Sequence, residues 1–193
     1  MSDTWIISDT HFNHSNIILY CNRPFLAPDD ITLCLNYRKS NTQYPSDLAD
    51  RVHSATETMN EVMVTAWNDV VKPNDTIYHL GDVYFGKPKG ILERLNGHKR
   101  LILGNHDTID DYLLKHFERI ELFRHRGELL LSHVPVHPEA FGNYKHIKMN
   151  VHGHIHHRSI PDRQHYMCVS VEHTNYAPVH INDIMRWAKL AQA

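Results

Sequence analysis

Three cysteines, Cys21, Cys34 and Cys168, are too few and too scattered across 193 residues to form a disulfide framework. No two have the C-x-x-C spacing of a zinc or redox site, and an odd count reads as reduced thiols. The chain also lacks any apolar run near the ~18–20 residues that a membrane helix needs. The first residues, Met1-Ser2-Asp3-Thr4-Trp5, show no basic stretch followed by an apolar one, so no signal peptide is expected. These absences lead to an expectation of a cytoplasmic protein that does not meet the membrane. An excess of one charge is missing too. Against 22 Asp and Glu there are 20 Lys and Arg, a net charge of −2, which offers no electrostatic footprint for duplex nucleic acid. There is no internal repeat and no low-complexity tract.

Histidine is the residue in excess. The 18 histidines nearly equal all Lys and Arg together. Imidazole is the commonest metal ligand and carries protons near neutral pH, so the excess favours a metal site without locating it. An apolar fraction of 41% with 22% charged residues is that of an ordinary globular chain. The length suits one domain over 1–193. The polar stretch 36–50 reads as a long surface loop inserted beside the site.

Short apolar runs at Trp5–Ile7, Thr76–Leu80, Arg100–Leu103, Leu129–Leu131, Lys148–Val151 and Tyr166–Val171 read as buried strands. Helices are expected between them. One covers 54–71, with Met59, Met63, Ala66, Trp67 and Val70 at helical spacing and Ser54 and Glu57 as a capping box. Others are expected over Lys89–Leu95 and Asp110–Phe117. A last one follows Asn182, with a stripe of Ile184, Trp187, Ala188 and Ala191. Strands alternating with helices imply a layered α/β domain.

Five segments share a pattern: an apolar run ends abruptly in Asp, Asn or His. They are Ser8-Asp9-Thr10-His11, Gly81-Asp82, Gly104-Asn105-His106-Asp107, Ser132-His133-Val134-Pro135 and Gly153-His154-Ile155-His156. In α/β sheets ligands bind beyond the carboxyl ends of strands, so these groups can converge from different strands. Asp9 and His11 are two apart, as are His154 and His156, and residues two apart in extended chain face one side. Asp-x-His alone reads as a turn with a solvated histidine, and Gly-Asp alone says almost nothing. Three polar residues after an apolar run in Gly-Asn-His-Asp gain nothing from packing, and that segment carries the most weight. Two Asp, one Asn and four His exceed the four ligands of a tetrahedral zinc and suit two metals sharing a carboxylate. Mixed nitrogen and oxygen donors favour Mn, Fe, Co, Ni or Zn over Ca or Mg.

In these segments the chain resembles the calcineurin-like metallophosphoesterase superfamily, whose pattern is D-x-H, G-D, G-N-H-D/E, a lone His and G-H-x-H. All five stand in order, and the likeness spans roughly residues 4–175. Asp9-Thr10-His11-Phe12-Asn13-His14, with Asn22-Arg23-Pro24-Phe25, also resembles a subgroup of small bacterial and phage-type phosphoesterases. The resemblance implies a four-layer α/β/β/α sandwich of two mixed sheets flanked by helices. It implies two divalent ions, Mn²⁺ foremost. One would take Asp9, His11 and His156, the other Asn105, His133 and His154, with Asp82 bridging. His106 would be the catalytic histidine, with Asp107 orienting its ring. Of the histidines near that point, His133 rather than His125 or His137 directly follows the Leu-rich strand and precedes Val-Pro.

Two metals ~3.5–4 Å apart can activate a water for in-line attack on phosphorus, and His106 can protonate the leaving oxygen. His14, Arg23 and Arg158 are candidate substrate contacts, and His157 could line the site. The remaining histidines, His79 and His152 among them, are read as surface or core. The expected function is therefore hydrolysis of a phosphodiester or phosphomonoester in a small substrate, with a nucleotide as one candidate. A nuclease or nucleic-acid end-processing enzyme is the alternative, which salt-dependent binding would favour. A binding module that has lost catalysis is a third reading, and intact ligand candidates speak against it. Oligomeric state cannot be read from the residues.

Overall fold

A computed structural model describes residues 2–86, 90–141 and 146–190. Among these residues nine strands form two sheets. In the first, the order is β4 (Arg119–Glu121), β3 (His98–Ile102), β2 (Thr76–His79), β1 (Thr4–Ile7) and β9 (Val179–His180). Strands β1 to β4 run parallel and β9 is antiparallel. The second sheet has the order β5 (Phe123–Arg126), β6 (Leu129–Ser132), β7 (Met149–His152) and β8 (Tyr166–Cys168), with β5 antiparallel to the rest. Both sheets are mixed and flanked by helices, which is the α/β sandwich expected from the resemblance.

The alternation of side chains along β1 and β2 explains the layering. Ile6, Tyr78 and Leu80 point into a core shared with Leu129, Leu131, Met149 and Val151 of the second sheet, closed by Ile184 and Ala188 of α5 (Ile181–Leu190). Ile7 and Ile77 point the other way, onto Met59, Met63 and Trp67 of α3 (Ser46–Val70). Helix α3 extends eight residues further towards the N-terminus than its expected start at Ser54, which lies in its interior. The apolar stripe explains this, because Leu48, Val52 and Ala55 continue it upstream of Met59.

The expected loop over 36–50 is mostly helix. Helix α2 (Pro28–Lys39) and the start of α3 leave only 40–45 between them. Their polar residues face solvent, while Ile31, Cys34, Leu48 and Val52 bury against Leu19 of α1 (Ser15–Tyr20). Pro28 at the first turn, Asp29 and Asp30 beside it, and Arg38 and Lys39 at the far end match a helix start and stop. The helix expected over Lys89–Leu95 is reduced to a single 3₁₀ turn, Leu92–Arg94, followed by Leu95 in extended conformation. Lys89 lies outside the described residues, as does Ala191 of the last stripe. Helix α4 (Asp111–His116) starts at an Asp110 cap whose carboxylate accepts from the Leu113 N–H. Among the described residues no helix is long and apolar enough to cross a membrane.

Trp67 is the largest fully buried side chain, and its indole N–H donates to the Asn96 carbonyl at 3.0 Å. Trp67→Ala is expected to lower unfolding free energy by about 3–5 kcal/mol, read from the urea midpoint.

Candidate metal centre

The expected ligands follow the carboxyl ends of β1, β2, β3, β6 and β7, where α/β sheets bind ligands. At this end the two sheets are stitched together. Ser8 bridges Ser170, and the Val171 N–H donates to the Ser8 carbonyl at 3.1 Å. Asp9, His11, Asp82, His154 and His156 all adopt positive φ, at 58°, 47°, 58°, 68° and 51°. Left-handed backbone costs a non-glycine residue roughly 1–2 kcal/mol, and strain of this kind gathers at functional sites. Two glycines permit the approach of neighbouring strands. A Cβ on Gly153 would overlap Ser8 Oγ and Asp9 Oδ2, and one on Gly104 would overlap Asp82 Oδ1 and its backbone N.

The side chains form two adjoining groups. In the first, His156 Nε2 lies 3.8 Å from Asp9 Oδ1, and His11 Nε2 lies 3.4 Å from Asp82 Oδ2. In the second, Asn105 Oδ1 is 2.8 Å from His133 Nε2 and 2.9 Å from His154 Nδ1. His133 Nε2 is also 3.5 Å from Asp82 Oδ2, which places Asp82 between the groups. Asp9, His11 and His156 offer donor atoms within 4.8 Å of one another, as do Asp9, Asp82 and His133, and either trio could hold a metal ion.

Three observations fit these residues to cations. Asp9 and Asp82 are buried, and among the described residues their ion-pair partners are histidines, with no Lys or Arg. A buried carboxylate needs a compensating positive charge. His11 Nε2 is buried without a hydrogen-bond partner. Ring tautomers are also held from behind, as in metal sites generally. His133 Nδ1 meets the Leu80 carbonyl at 2.8 Å and must donate to it, which turns Nε2 towards Asn105 and Asp82. His156 Nδ1 is 3.1 Å from Glu172 Oε1, so its Nε2 is likewise turned to Asp9. His11 Nδ1 lies 3.2 Å from His14 Nδ1, an acceptor for its proton whenever Nε2 ligates. Burial disfavours a charged His156, yet hydrogen bonds to Cys21 and Glu172 and the charge of Asp9 outweigh it and raise its pKa to about 10. Burial would likewise raise the Asp82 pKa, but the imidazoles of His11, 3.4 Å away, and His133, 3.5 Å away, hold it below the usual carboxylate range.

Several residues stand where other roles were expected. Arg23 is not a substrate contact. It is 1% exposed and donates to the backbone carbonyls of Thr10 (3.0 Å) and Asp9 (2.7 Å) and to Glu172. It therefore braces the strained Asp-x-His turn and orients Glu172. Asp107 does not orient the His106 ring. Its carboxylate accepts the backbone N–H groups of Asp82, Val83 and Gly104 at 2.9, 2.8 and 2.8 Å, clamping two loops together. His79, read as a core residue without function, anchors the same turn through Thr10 Oγ1 at 2.9 Å, and burial lowers its pKa to about 3, keeping it neutral.

His14 stacks on Phe85 at 3.8 Å. With His106, His157, Arg158 and Tyr20 it lines a cleft of about 460 Å³ that also exposes His11 and His156. The His106 N–H donates to Asp82 Oδ1 at 2.9 Å, and its ring lies 5.9 Å from that of His11. His125 sits on β5, and its interactions there are with the rings of Phe123 and His146. Glu172 and Cys21 escaped the sequence reading, and with His156 they form a further trio able to hold an ion. Glu172 was within reach, since Val169-Ser170-Val171-Glu172 repeats the pattern of an apolar run ending in a ligand-type residue. Cys21 left no such mark.

No family model matches the chain. An uncharacterized protein of Methanocaldococcus jannaschii is 31% identical over 198 residues, covering 96% of this chain and 91% of that protein. The chain belongs to the same family as that protein. The gene 66 protein of Mycobacterium phage L5 is 27% identical and covers 98% of this chain and 90% of its own length. Among solved structures, a protein of unknown function from Aquifex aeolicus superposes with a TM-score of 0.67 at 25% identity, covering 96% of this chain and 99% of its own. Its fold is therefore shared along essentially the whole length.

Glu172→Ala removes the acceptor behind His156 and is expected to weaken Mn²⁺ affinity about 10–100-fold, measured by titration calorimetry. Asp107→Ala leaves three backbone donors unpaired and should cost at least about 2 kcal/mol of stability. A residue that only oriented His106 would leave the thermal midpoint unmoved.

Proposed function

We propose that this chain is a dinuclear metal-dependent phosphohydrolase of the calcineurin-like metallophosphoesterase type, acting on phosphomonoester or phosphodiester bonds of a small substrate. The observation that carries the reading is the convergence of two donor groups on one buried carboxylate, Asp82, which His11 Nε2 approaches to 3.4 Å and His133 Nε2 to 3.5 Å. Asp9, His11 and His156 would hold one ion, and Asn105, His133 and His154 the other, with Mn²⁺ the first candidate by donor type. Two divalent ions in such a site supply an activated water and neutralise charge on a phosphoryl group.

The chain's own residues account for the remaining tasks. His106 is exposed at the cleft, and its backbone is held by Asp82. From that position its ring donates a proton to the leaving oxygen. Arg158 and the outer edge of His14 border the same cleft and contact phosphoryl oxygens. The cleft volume of about 460 Å³ accommodates a small ester. The likeness to a phage protein is in keeping with the small bacterial and phage-type subgroup.

The test is hydrolysis by the Mn²⁺-loaded protein of aryl phosphate mono- and diesters, cyclic nucleotides and short oligonucleotides. His106→Ala should lower kcat by about 10²–10⁴-fold with metal content unchanged, whereas Asp82→Ala should lose metal. Full activity in His106→Ala would remove its assigned role.

A further inference from the structure

A cavity of about 570 Å³ adjoins the candidate metal centre, because Asn105 and His133 line it. Its walls are apolar: Leu103, Leu122, Phe123, Leu130, Val134 and Val136. Three of these are unusually exposed for their type, Leu122 at 72%, Phe123 at 59% and Val134 at 45%. Leu122 and Phe123 sit where the chain passes from β4 of one sheet to β5 of the other, and Val134 directly follows the ligand candidate His133. Clustered exposed apolar side chains contribute nothing to folding and mark binding surfaces.

Polar groups in this groove are few. The Ser132 hydroxyl donates to the Val134 carbonyl at 2.7 Å and accepts from Asn150 Nδ2 at 2.8 Å, so it is already engaged. His125 stands at the β5 wall, with its ring against Phe123 at a centroid distance of 5.8 Å. The remaining polar side chains are those of Asn105 and His133, at the end shared with the metal centre. A sugar or a nucleobase placed in such a groove would lose hydrogen bonds to water without replacement, whereas an alkyl chain or plain aryl ring would lose nothing.

We infer that the groove is the subsite for an apolar ester group, so that the substrate is amphiphilic: a phosphoryl group at the metal centre joined to a hydrocarbon chain or ring lying along Leu122, Phe123 and Val134. This rests on the phosphohydrolase reading above and adds the substrate class to it.

The test separates the two. Binding of methyl-, butyl- and octylphosphonate, which cannot be hydrolysed, is measured by calorimetry on the Mn²⁺-loaded protein. Each methylene that enters the groove should tighten binding about two- to fourfold, the upper figure being the equivalent of about 0.8 kcal/mol, so butyl, with three more, should exceed methyl by about tenfold or more. Leu122→Ser and Phe123→Ser change solvent-exposed side chains, and a thermal melt checks their folding. In them the butyl-to-methyl ratio should collapse to below about threefold. A second arm compares kcat/KM for butyl and glyceryl esters of 4-nitrophenyl phosphate, which are similar in size and opposite in polarity. The butyl ester should be preferred, and Leu122→Ser should abolish the preference. Equal binding of all three phosphonates would overturn the groove assignment and leave the hydrolase reading intact. A chain-length gradient without hydrolysis of any ester would keep the groove and overturn the hydrolase. Sedimentation showing a dimer that Leu122→Ser dissolves would assign the groove to a second copy and overturn the proposal.

Discussion

Two carboxylates, Asp9 and Asp82, are buried where the sheets meet, with histidines as their ionic partners. The rest of this end of the molecule is organised around that constraint. Buried negative charge is costly unless a cation or several donors meet it, and the surroundings supply donors from every side. The His154 N–H and the Ser170 hydroxyl reach Asp9, and the His106 N–H reaches Asp82. Arg23 gives its guanidinium to the carbonyls of Asp9 and Thr10 and to Glu172. Its charge therefore supports the site from behind and leaves the carboxylates of Asp9 and Asp82 facing the histidines.

Such an arrangement needs a stiff frame. Left-handed backbone at Asp9, His11, Asp82, His154 and His156 persists only because the surroundings over-determine it. Asp107 ties the loop after β2 to the loop after β3, His79 ties the first turn to β2, and Ser170 ties the second sheet to Asp9. Gly104 and Gly153 stand where any side chain would occupy the space of a carboxylate oxygen. The ligand atoms are thus positioned by backbone contacts between strands distant in sequence. Their bearing on function is geometric: donor groups carried by five strand ends arrive within a few ångströms of one another.

The long strands, the last helix and the five polar strand ends were legible because each leaves a local mark, an apolar run of three to six residues or a stripe of helical period. The misses have equally local causes. Short strands β4 and β5 carry charged residues such as Arg119, Glu121, Arg124 and Arg126 on exposed edges of their sheets, so no apolar run announces them. Helices α1 and α2 bury a few residues each against the upstream end of α3, and that small separate core hides the stripe among polar residues. Within the site, Asp107 and Arg23 were seen as functional residue types, but which atoms they would meet was not readable.

What the sequence by itself determined is the chemistry: oxygen- and nitrogen-bearing side chains placed two to five residues past apolar strands, in numbers that call for cations. What only the tertiary structure decided is which of them face each other and which serve as supports. Contacts such as Arg23 with Glu172, 149 residues apart, or Asp9 with Ser170, 161 apart, have no counterpart in local periodicity. Sheet order and stacking alone bring them together. The same holds for the apolar groove at Leu122 and Phe123, which carry no mark in the sequence and in space border the metal centre.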